Sequence, residues 1–334
     1  MSGQGLSTER IYKLLRTSPG FVSSQNICRE LGVSRAAVWK QVEALRKKGF
    51  RIEGVSALGY RLLEVPDSLG VLTMEPGIRT LRLGKTVRFM EETGSTNEDL
   101  WGLAQNGAPE GTVVVADAQR AGRGRRGRRW ESPGGKNLYL SILLRPPFPP
   151  VQAPLITLMA AVSVCRAMVE LWGLEPGIKW PNDILLAGKK VGGILAEMQA
   201  EQDVIGFLVL GIGVNLNMPL EMFPPELLYP ATSVAIELRG AVSRLEFARR
   251  VIESLDRCYD ELLQEGGGPM LEQWMRYCAH PEALLEVRTP GGSLRGTFTG
   301  LDAQGAMILQ VDGCRQERVH AGDVIRVGRP NGEG

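Results

Sequence analysis

Six arginines fall within residues 120–129, in the run Gln119-Arg120-Ala121-Gly122-Arg123-Gly124-Arg125-Arg126-Gly127-Arg128-Arg129-Trp130. Each guanidinium offers paired donors to phosphate, and the interspersed glycines keep the backbone supple. Like charges this close repel. The loop is therefore expected to be poorly ordered when empty and to order around a polyanion such as a nucleoside triphosphate. Trp130 can stack on a base or anchor the loop. A generic nucleic-acid-binding arm has a similar composition, but this run sits between strand-like segments with regular glycine spacing. Gly122-x-Gly124-x-x-Gly127 matches a dinucleotide fingerprint in letters only, because Ser132-Pro133-Gly134-Gly135 follows where a helix should open. A Walker loop also fails, since Gly84-Lys85-Thr86 has Arg79 where the upstream glycine belongs.

Two further segments carry chemistry. Lys179-Trp180-Pro181-Asn182-Asp183 precedes the strand-like Ile184-Leu185-Leu186, and Gly188-Lys189-Lys190-Val191-Gly192-Gly193 reads as a hairpin turn into Ile194–Glu197. Paired glycines allow a ligand close to the backbone. Gly211, Gly213, Asn215 and Asn217 alternate, which places them on one side of a strand as a candidate pocket wall.

The elements that must hold these residues are those of an α/β sheet domain. Strand patterns cover 111–116, 137–145, 191–197 and 204–215, and helical patterns cover 98–105, 153–171 and 245–263. Ser95 with Glu98 fits a capping box at the first of these helices. Residues 286–328 contain short alternating runs broken by Gly291-Gly292, Asp312-Gly313 and Ala321–Asp323, the spacing of a small β-barrel. Pro330–Gly334 reads as a frayed tail.

Residues 1–65 carry 11 Lys/Arg against 5 Asp/Glu, while the remaining chain carries 28 against 32. A small basic module thus precedes a mildly acidic body. Its pattern is three helices: Thr8–Leu15, Ser24–Leu31 behind a Ser23-Ser24 cap, and Arg35 to about Lys48. In the third, Val38, Val42 and Leu45 face inward. Gly32-Val33-Ser34 makes the turn between the second and third helices, Gly49 ends the third, and Arg51–Leu63 suits a β-hairpin wing. A three-helix protein–protein module would share much of this pattern. If the module binds DNA, the third helix enters the major groove. Ser34, Arg35, Ala36, Trp39 and Lys40 would then lie near the bases, with Lys47, Lys48 and Arg51 near phosphate and Ser24 and Glu43 as further candidate DNA-binding residues. A symmetric dimer on a two-part operator is expected. Glu64–Thr73 reads as a connection or short tether between domains.

Composition excludes several functions. With 43% hydrophobic and 23% charged residues in 334, the chain is too apolar for disorder and long enough for two or three domains. Its longest nearly apolar stretch, Ala153–Met168, is interrupted by Pro154, Thr157, Ser163 and Arg166 and falls short of the ~18 apolar residues of a membrane span. Met1–Arg10 has no apolar run, so a cytoplasmic location is expected. The five cysteines form no C-x-x-C pair, and His280 and His320 are the two histidines. A disulfide framework, a Cys-based zinc site and a histidine triad are thereby disfavoured, and no metal site of protein residues is expected. The chemistry must rest on Lys, Arg, Asp and backbone dipoles.

Taken together, Ser95-Thr96-Asn97, Gln119–Trp130, Lys179–Asp183, Lys190–Glu197 and Gly211–Asn215 resemble, in order, the motifs of bifunctional biotin–protein ligases that also repress the biotin operon. Ser34-Arg35-Ala36-Ala37 is similar to the repressor members. Gly94 departs from the pattern, since an acidic residue often precedes Ser-Thr-Asn. The resemblance implies an α+β multidomain protein. A winged helix-turn-helix would cover 1–65, a central mixed α/β catalytic domain of the class II synthetase-like kind 66–283, and an SH3-like β-barrel 284–330. It implies that biotin and ATP with Mg2+ give biotinyl-5′-AMP, and that biotin then passes to a lysine of a biotin carboxyl carrier protein. It also implies that biotinyl-5′-AMP is the corepressor that favours a homodimer on operator DNA.

By the same resemblance Ser95, Thr96, Asn97 and Gln119 hold biotin, with Arg123, Gly124, Arg125 and Lys190 around its carboxylate. Arg123, Arg126, Arg128, Trp130, Lys179, Asn182 and Asn215 take the adenylate side. Lys190, Arg125 and Asp183 are the candidate catalytic residues, Asp183 steering the incoming lysine amine. Biotin's carboxylate is already ionised at neutral pH, so activation needs positioning and charge stabilisation rather than a general base. A ligand-sensing repressor without ligase activity, or a lipoate–protein ligase, would share parts of this inventory.

Overall fold

A computed structural model describes residues 3–74, 79–226, 229–313 and 315–328. The chain divides into two compact units, residues 1–78 and 79–334. The tail reading for Pro330–Gly334 lies outside the described residues.

The first unit contains α1 (Gly3–Thr17), α2 (Ser24–Leu31) and α3 (Arg35–Lys47), followed by the hairpin β1 (Arg51–Val55) and β2 (Gly59–Glu64). Ser23 Oγ caps α2 by accepting from Asn26 N, and Ser34 Oγ caps α3 by accepting from Ala37 N. Gly32, in the left-handed region at φ 68°, ends α2 and turns the chain into α3. Ile11, Leu15, Ile27, Val38, Val42 and Leu45 are buried together, the helical spacing of the sequence realised as a core. The wing also forms, with Val55 paired to Gly59. The tether expectation needs correction. Leu69–Met74 is a 3-10 turn in which Leu69, Val71, Leu72 and Met74 are buried. Pro66 and Gly70 signalled a turn, but apolar residues supply the packing that a free linker lacks.

The second unit is built on a seven-stranded mixed sheet in the order β3-β4-β5-β9-β8-β7-β6. Its elements are β3 (Thr86–Thr93), α4 (Thr96–Gln105), β4 (Thr112–Gln119), β5 (Leu138–Leu144), α5 (Ala153–Trp172), β6 (Gly177–Lys179), β7 (Asp183–Leu186), β8 (Lys189–Glu201) and β9 (Val204–Val214). Only β3 and β4 run parallel, the remaining pairs being antiparallel. The segment from Pro150 to Trp172 is long and apolar enough to cross a bilayer, yet 67% of its most apolar window is buried. Here it is the central core helix, covered by α7 (Arg244–Glu265) and α8 (Gly267–Arg276). The short α6 (Val234–Leu238) precedes α7.

The last strands are β10 (Leu284–Thr289), β11 (Gly292–Leu301), β12 (Met307–Val311), β13 (Arg315–Val319) and β14 (Asp323–Gly328). They form an antiparallel sheet in the order β13-β12-β11-β10-β14. The β-barrel expected from the turn spacing is an open sheet here: among the described residues no pairing joins β13 to β14. The turn spacing fixes the hairpins but not closure, which depends on how the outer strands meet.

Candidate active site

A cavity of about 380 Å³ opens at the ends of β4, β8 and β9, beneath the arginine loop. Its inner wall is a hydrogen-bonded polar network. Gln119 Oε1, at the end of β4, accepts from Thr96 N at 2.9 Å and Thr96 Oγ1 at 3.1 Å, while Gln119 Nε2 donates to Ser132 Oγ at 3.0 Å. Ser141 Oγ of β5 lies 2.7 Å from Thr96 Oγ1 and 2.6 Å from Asn97 Oδ1. Asn97 Nδ2 donates to Glu197 Oε2 of β8 at 2.7 Å. Ser95 is the N-cap of α4, but its side chain makes no cap hydrogen bond. The capping-box reading with Glu98 is thus replaced by Gln119, which satisfies the free N–H of Thr96 from a neighbouring strand. Ser95, Thr96 and Asn97 are all nearly buried and linked, except through Ser95, into one rigid wall.

The floor is β9. A Cβ on Gly211 would lie 2.3 Å from Asn97 Oδ1, and one on Gly213 would lie 2.7 Å from Trp130 Nε1. Both positions require glycine because side chains from α4 and the loop lie flat on the strand. Trp130 also approaches Gly193 on β8, its Cζ3 3.5 Å from where a Cβ there would stand. Its indole N–H is buried without a hydrogen-bond partner among the described residues. Asn215 follows the end of β9 and donates to Thr232 O at 3.1 Å. Asn217, the last member of the alternation, turns instead to Val242 O at 2.8 Å and lies outside the cavity lining.

The loop over this floor is drawn together by backbone and side-chain contacts. Trp130 N donates to Gly122 O and Gly124 N to Arg128 O, closing a narrow hairpin around a 3-10 turn at Arg125–Gly127. Gly122 is pressed against the returning strand, where a Cβ would stand 2.5 Å from Trp130 O. Arg123 pairs with Glu197 at 3.3 Å and Glu98 at 3.5 Å. Asp323, at the start of β14, faces Arg125 and Arg126 at 3.3 Å each and Arg128 at 2.7 Å. Arg125 also donates to Asn182 Oδ1 at 3.2 Å. Burial pushes its guanidinium pKa down, partly offset by Asp323.

The last wall is the β6–β8 meander. Ala187 and Gly188, at φ 48° and 72°, turn β7 into β8. A register shift opposite Ile184–Leu185 then aligns Lys190 with Leu185. Lys190 Nζ lies 2.5 Å from Asp183 Oδ1 and 5.5 Å from the Trp130 ring centre. Lys179 is buried, its ammonium 3.4 Å from the centre of the Tyr229 ring. Burial lowers its pKa to about 8, opposed by Asp183 and assisted by Lys190.

Thus Ser95, Thr96, Asn97, Gln119, Arg123, Gly124, Arg125, Arg128, Trp130, Lys179, Asn182, Asp183, Lys190 and Asn215 all line one cavity. Arg126 is outside the lining and reaches Asp323 instead. Ser141, Glu197, Tyr229 and Asp323 are structural partners that the sequence reading did not single out. Glu197 lay at the end of a recognised segment, whereas Asp323 was marked only as part of the turn Ala321–Asp323.

One cavity thus offers amides and hydroxyls to a neutral polar group, and arginine and lysine to anions. Residues 89–215 match the biotin/lipoate A/B protein ligase family, residues 8–61 an HTH domain and residues 286–327 the biotin protein ligase C-terminal domain. The chain is 38% identical over 292 residues to the bifunctional ligase/repressor BirA of Bacillus subtilis, covering 87% of this chain and 90% of that protein. The chain belongs to the biotin–protein ligase family. BirA of Escherichia coli is 30% identical over 295 residues, with 88% and 89% of the two chains covered. The biotin protein ligase of Aquifex aeolicus, solved in complex with biotin and ATP, superposes with a TM-score of 0.62 at 26% identity, covering 72% of this chain and 97% of that one.

In the other unit of this family member, the HTH match falls on α1–α3 and the wing. Arg35, Ala36, Trp39, Lys40 and Lys47 of α3 and Lys48 at its C-cap are exposed, Trp39 by 59%. Ser34 Oγ is engaged in its cap and Ser24 is the first residue of α2. Glu43 pairs with Arg46 at 2.6 Å, and Arg51, expected near phosphate, pairs with Glu64 at 2.7 Å.

Proposed function

We propose that this chain joins biotin to ATP as biotinyl-5′-AMP, transfers the biotinyl group to a lysine of a biotin carboxyl carrier protein, and represses transcription through its winged helix-turn-helix. The observation that carries the reading is the meeting of two kinds of side chain in one cavity. Thr96, Asn97 and Gln119, braced by Ser141 behind them, offer neutral amides and a hydroxyl suited to a ureido ring. Arg125, Arg128, Lys179 and Lys190 line the same cavity, suited to a carboxylate and phosphates. Ser95, Thr96, Asn97 and Gln119 hold the biotin ring, and Arg123 and Gly124 close over its chain. Trp130, Asn182 and Asn215 line the nucleotide side, with Arg126 contributing charge from behind the lining.

In the first step the biotin carboxylate attacks the α-phosphorus and pyrophosphate leaves. Lys190 and Arg125 offset the negative charge that gathers between the two anions. In the second, the acceptor lysine amine attacks the acyl carbon and AMP leaves. Asp183, already facing Lys190, orients the amine and receives its proton. Among the described residues no three His, Cys, Asp or Glu side chains gather as a metal cage. Asp183, Glu197 and Asp323 are each paired with cationic side chains. These residues do not fit a protein-held Mg2+, and the ion is expected to enter with the phosphates of ATP as part of the substrate.

The repressor half of the reading gives α3 the major groove, with Arg35, Ala36, Trp39 and Lys40 at the bases and Lys47 and Lys48 at phosphate. Ser24, Ser34 and Glu43 support that face rather than lead it. Biotinyl-5′-AMP then favours a homodimer on a two-part operator. The three-part division at residues 65 and 283, the class II synthetase-like plan, SH3-like packing of the last sheet and a cytoplasmic location belong to the same proposal.

The deciding experiment is exchange of labelled pyrophosphate into ATP by the full chain, with biotin or lipoate supplied separately. Biotin-dependent exchange is expected, with little from lipoate. No exchange with either would leave a sensor without ligase activity, and exchange with lipoate alone would reassign the substrate.

A further inference from the structure

Asp323 opens β14 with a side chain only 11% exposed, and its two oxygens meet three guanidiniums of one loop. The preceding carbonyl, Gly322 O, accepts from Arg125 at 3.3 Å. The next, Val324 O, accepts from Tyr229 Oη at 2.7 Å. The beginning of β14 therefore ties down both the arginine loop and the ring that covers Lys179. Arg123 is held separately, by Glu98 and Glu197. Arg125 also reaches Asn182, and Arg120 pairs with Glu92 at 3.1 Å, but Asp323 is the partner that three of the loop's arginines share.

Three guanidiniums sharing a small volume repel one another, and a single carboxylate common to all three offsets that repulsion. Because Asp323 is largely buried, salt screens it weakly. Three positive charges against one negative leave the cluster with a net charge of two positive, still attractive to a triphosphate. Arg125 and Arg128 face the cavity while bound to Asp323.

We infer that Asp323 is the positioning residue of the arginine loop: from the C-terminal sheet it gathers Arg125, Arg126 and Arg128 over the cavity, where they face the phosphates of the nucleotide. This inference rests on the ligase reading for its substrate. It gives the C-terminal sheet a task in nucleotide activation, exerted through the arginines rather than by contact with the reacting atoms.

The test uses the full chain as wild type, Asp323→Asn and Asp323→Glu. It reads the KM for ATP in biotin-dependent pyrophosphate exchange, biotin affinity without ATP, and the rate of trypsin cleavage within residues 120–129. Asp323→Asn is expected to raise the KM for ATP roughly tenfold or more, as loss of one charge-assisted contact set would, and to speed cleavage. Biotin affinity should fall by less than the KM for ATP rises, because Thr96, Asn97 and Gln119 are fixed without Asp323 and Arg123 has its own acidic partners. Asp323→Glu should restore both altered readouts towards wild type. A folded Asp323→Asn protein with unchanged KM and unchanged cleavage overturns the inference, as does equal behaviour of the Asn and Glu variants. If Asp323→Asn fails to melt cooperatively, Arg128→Gln reads the same tether from the half-exposed loop side. Cleavage after Arg125 and Arg126 should then speed up, and unchanged cleavage counts against the tether. Absence of biotin-dependent exchange in the wild type would sink the ligase reading instead, while the cleavage rates still judge Asp323.

Discussion

The ammonium of Lys190 rests 2.5 Å from the carboxylate of Asp183, so the cation best placed to meet an incoming anion already has a partner. The pair is held by adjoining strands, β7 and β8, and both side chains are largely shielded from solvent. Removing one member leaves the other uncompensated, which costs more than the pair's net worth. Lys190→Ala is therefore expected to lower biotin-dependent pyrophosphate exchange by roughly 100-fold or more, through lost charge stabilisation and a stranded Asp183 carboxylate. The double variant Lys190→Ala/Asp183→Asn should recover part of that loss. Exchange equally slow in the single and double variants would show that Asp183 does not burden the first step.

Gly213 sets the position of Trp130. An alanine there would put a methyl group 2.7 Å from the indole nitrogen, so the ring must move. If the ring stacks on the adenine, worth about 1–3 kcal/mol per base, Gly213→Ala should raise the KM for ATP roughly tenfold or more. Biotin affinity should change little. Tryptophan emission should shift to the red as the indole leaves its buried seat, and an unchanged spectrum with unchanged KM would dissociate Trp130 from the nucleotide.

Lys179 supplies a pH dependence. Burial brings its pKa down to about 8 in the folded protein, from an ordinary value of 10.5. Below about pH 8 the side chain is protonated and adds positive charge to the nucleotide side. As pH rises through 8 that charge is lost, so kcat/KM for ATP should fall, reporting the free enzyme. The stability sign is opposite. Between about 8 and 10.5 the unfolded chain binds the extra proton, so this group makes the folded state more stable as pH rises. Lys179→Arg keeps its charge and should flatten the fall in kcat/KM. The same decline in wild type and variant would assign it to another group.

On the DNA side, the exposed Lys47 and Lys48 at the end of α3 are expected to meet phosphate. Lys47→Gln should weaken binding to operator and unrelated duplexes alike and reduce the salt slope by about one. Trp39→Ala should act mainly on operator preference. Binding titrations at several salt concentrations distinguish the two, and an unchanged slope for Lys47→Gln would remove it from the backbone contacts.

Much of this arrangement is legible in the sequence because its signals are local. Val38, Val42 and Leu45 declare the buried face of α3 by their spacing, and Ser34 declares its start by its hydroxyl. The glycines at 211 and 213 alternate on one strand and form a floor. What stayed hidden depends on contacts between distant segments. Arg128 meets Asp323 across 195 residues, so the repulsion within the arginine loop was visible while the carboxylate that relieves it was not. Ser95 and Glu98 matched a capping pattern, yet Gln119 reaches the Thr96 N–H from 23 residues away and replaces it. Closure of a five-stranded sheet is another such non-local property, and turn spacing could not supply it.

The two glycines of β9 also constrain redesign. Asn97 rests on Gly211 and Trp130 on Gly213, so one added methyl group displaces the amide at the first position and the indole at the second. Variants meant to accept bulkier vitamin analogues, such as those used for labelling proteins, should spare these positions. The room for such analogues is better sought by shortening side chains on β8 or in the hairpin above, where a lost atom opens space without unseating either residue.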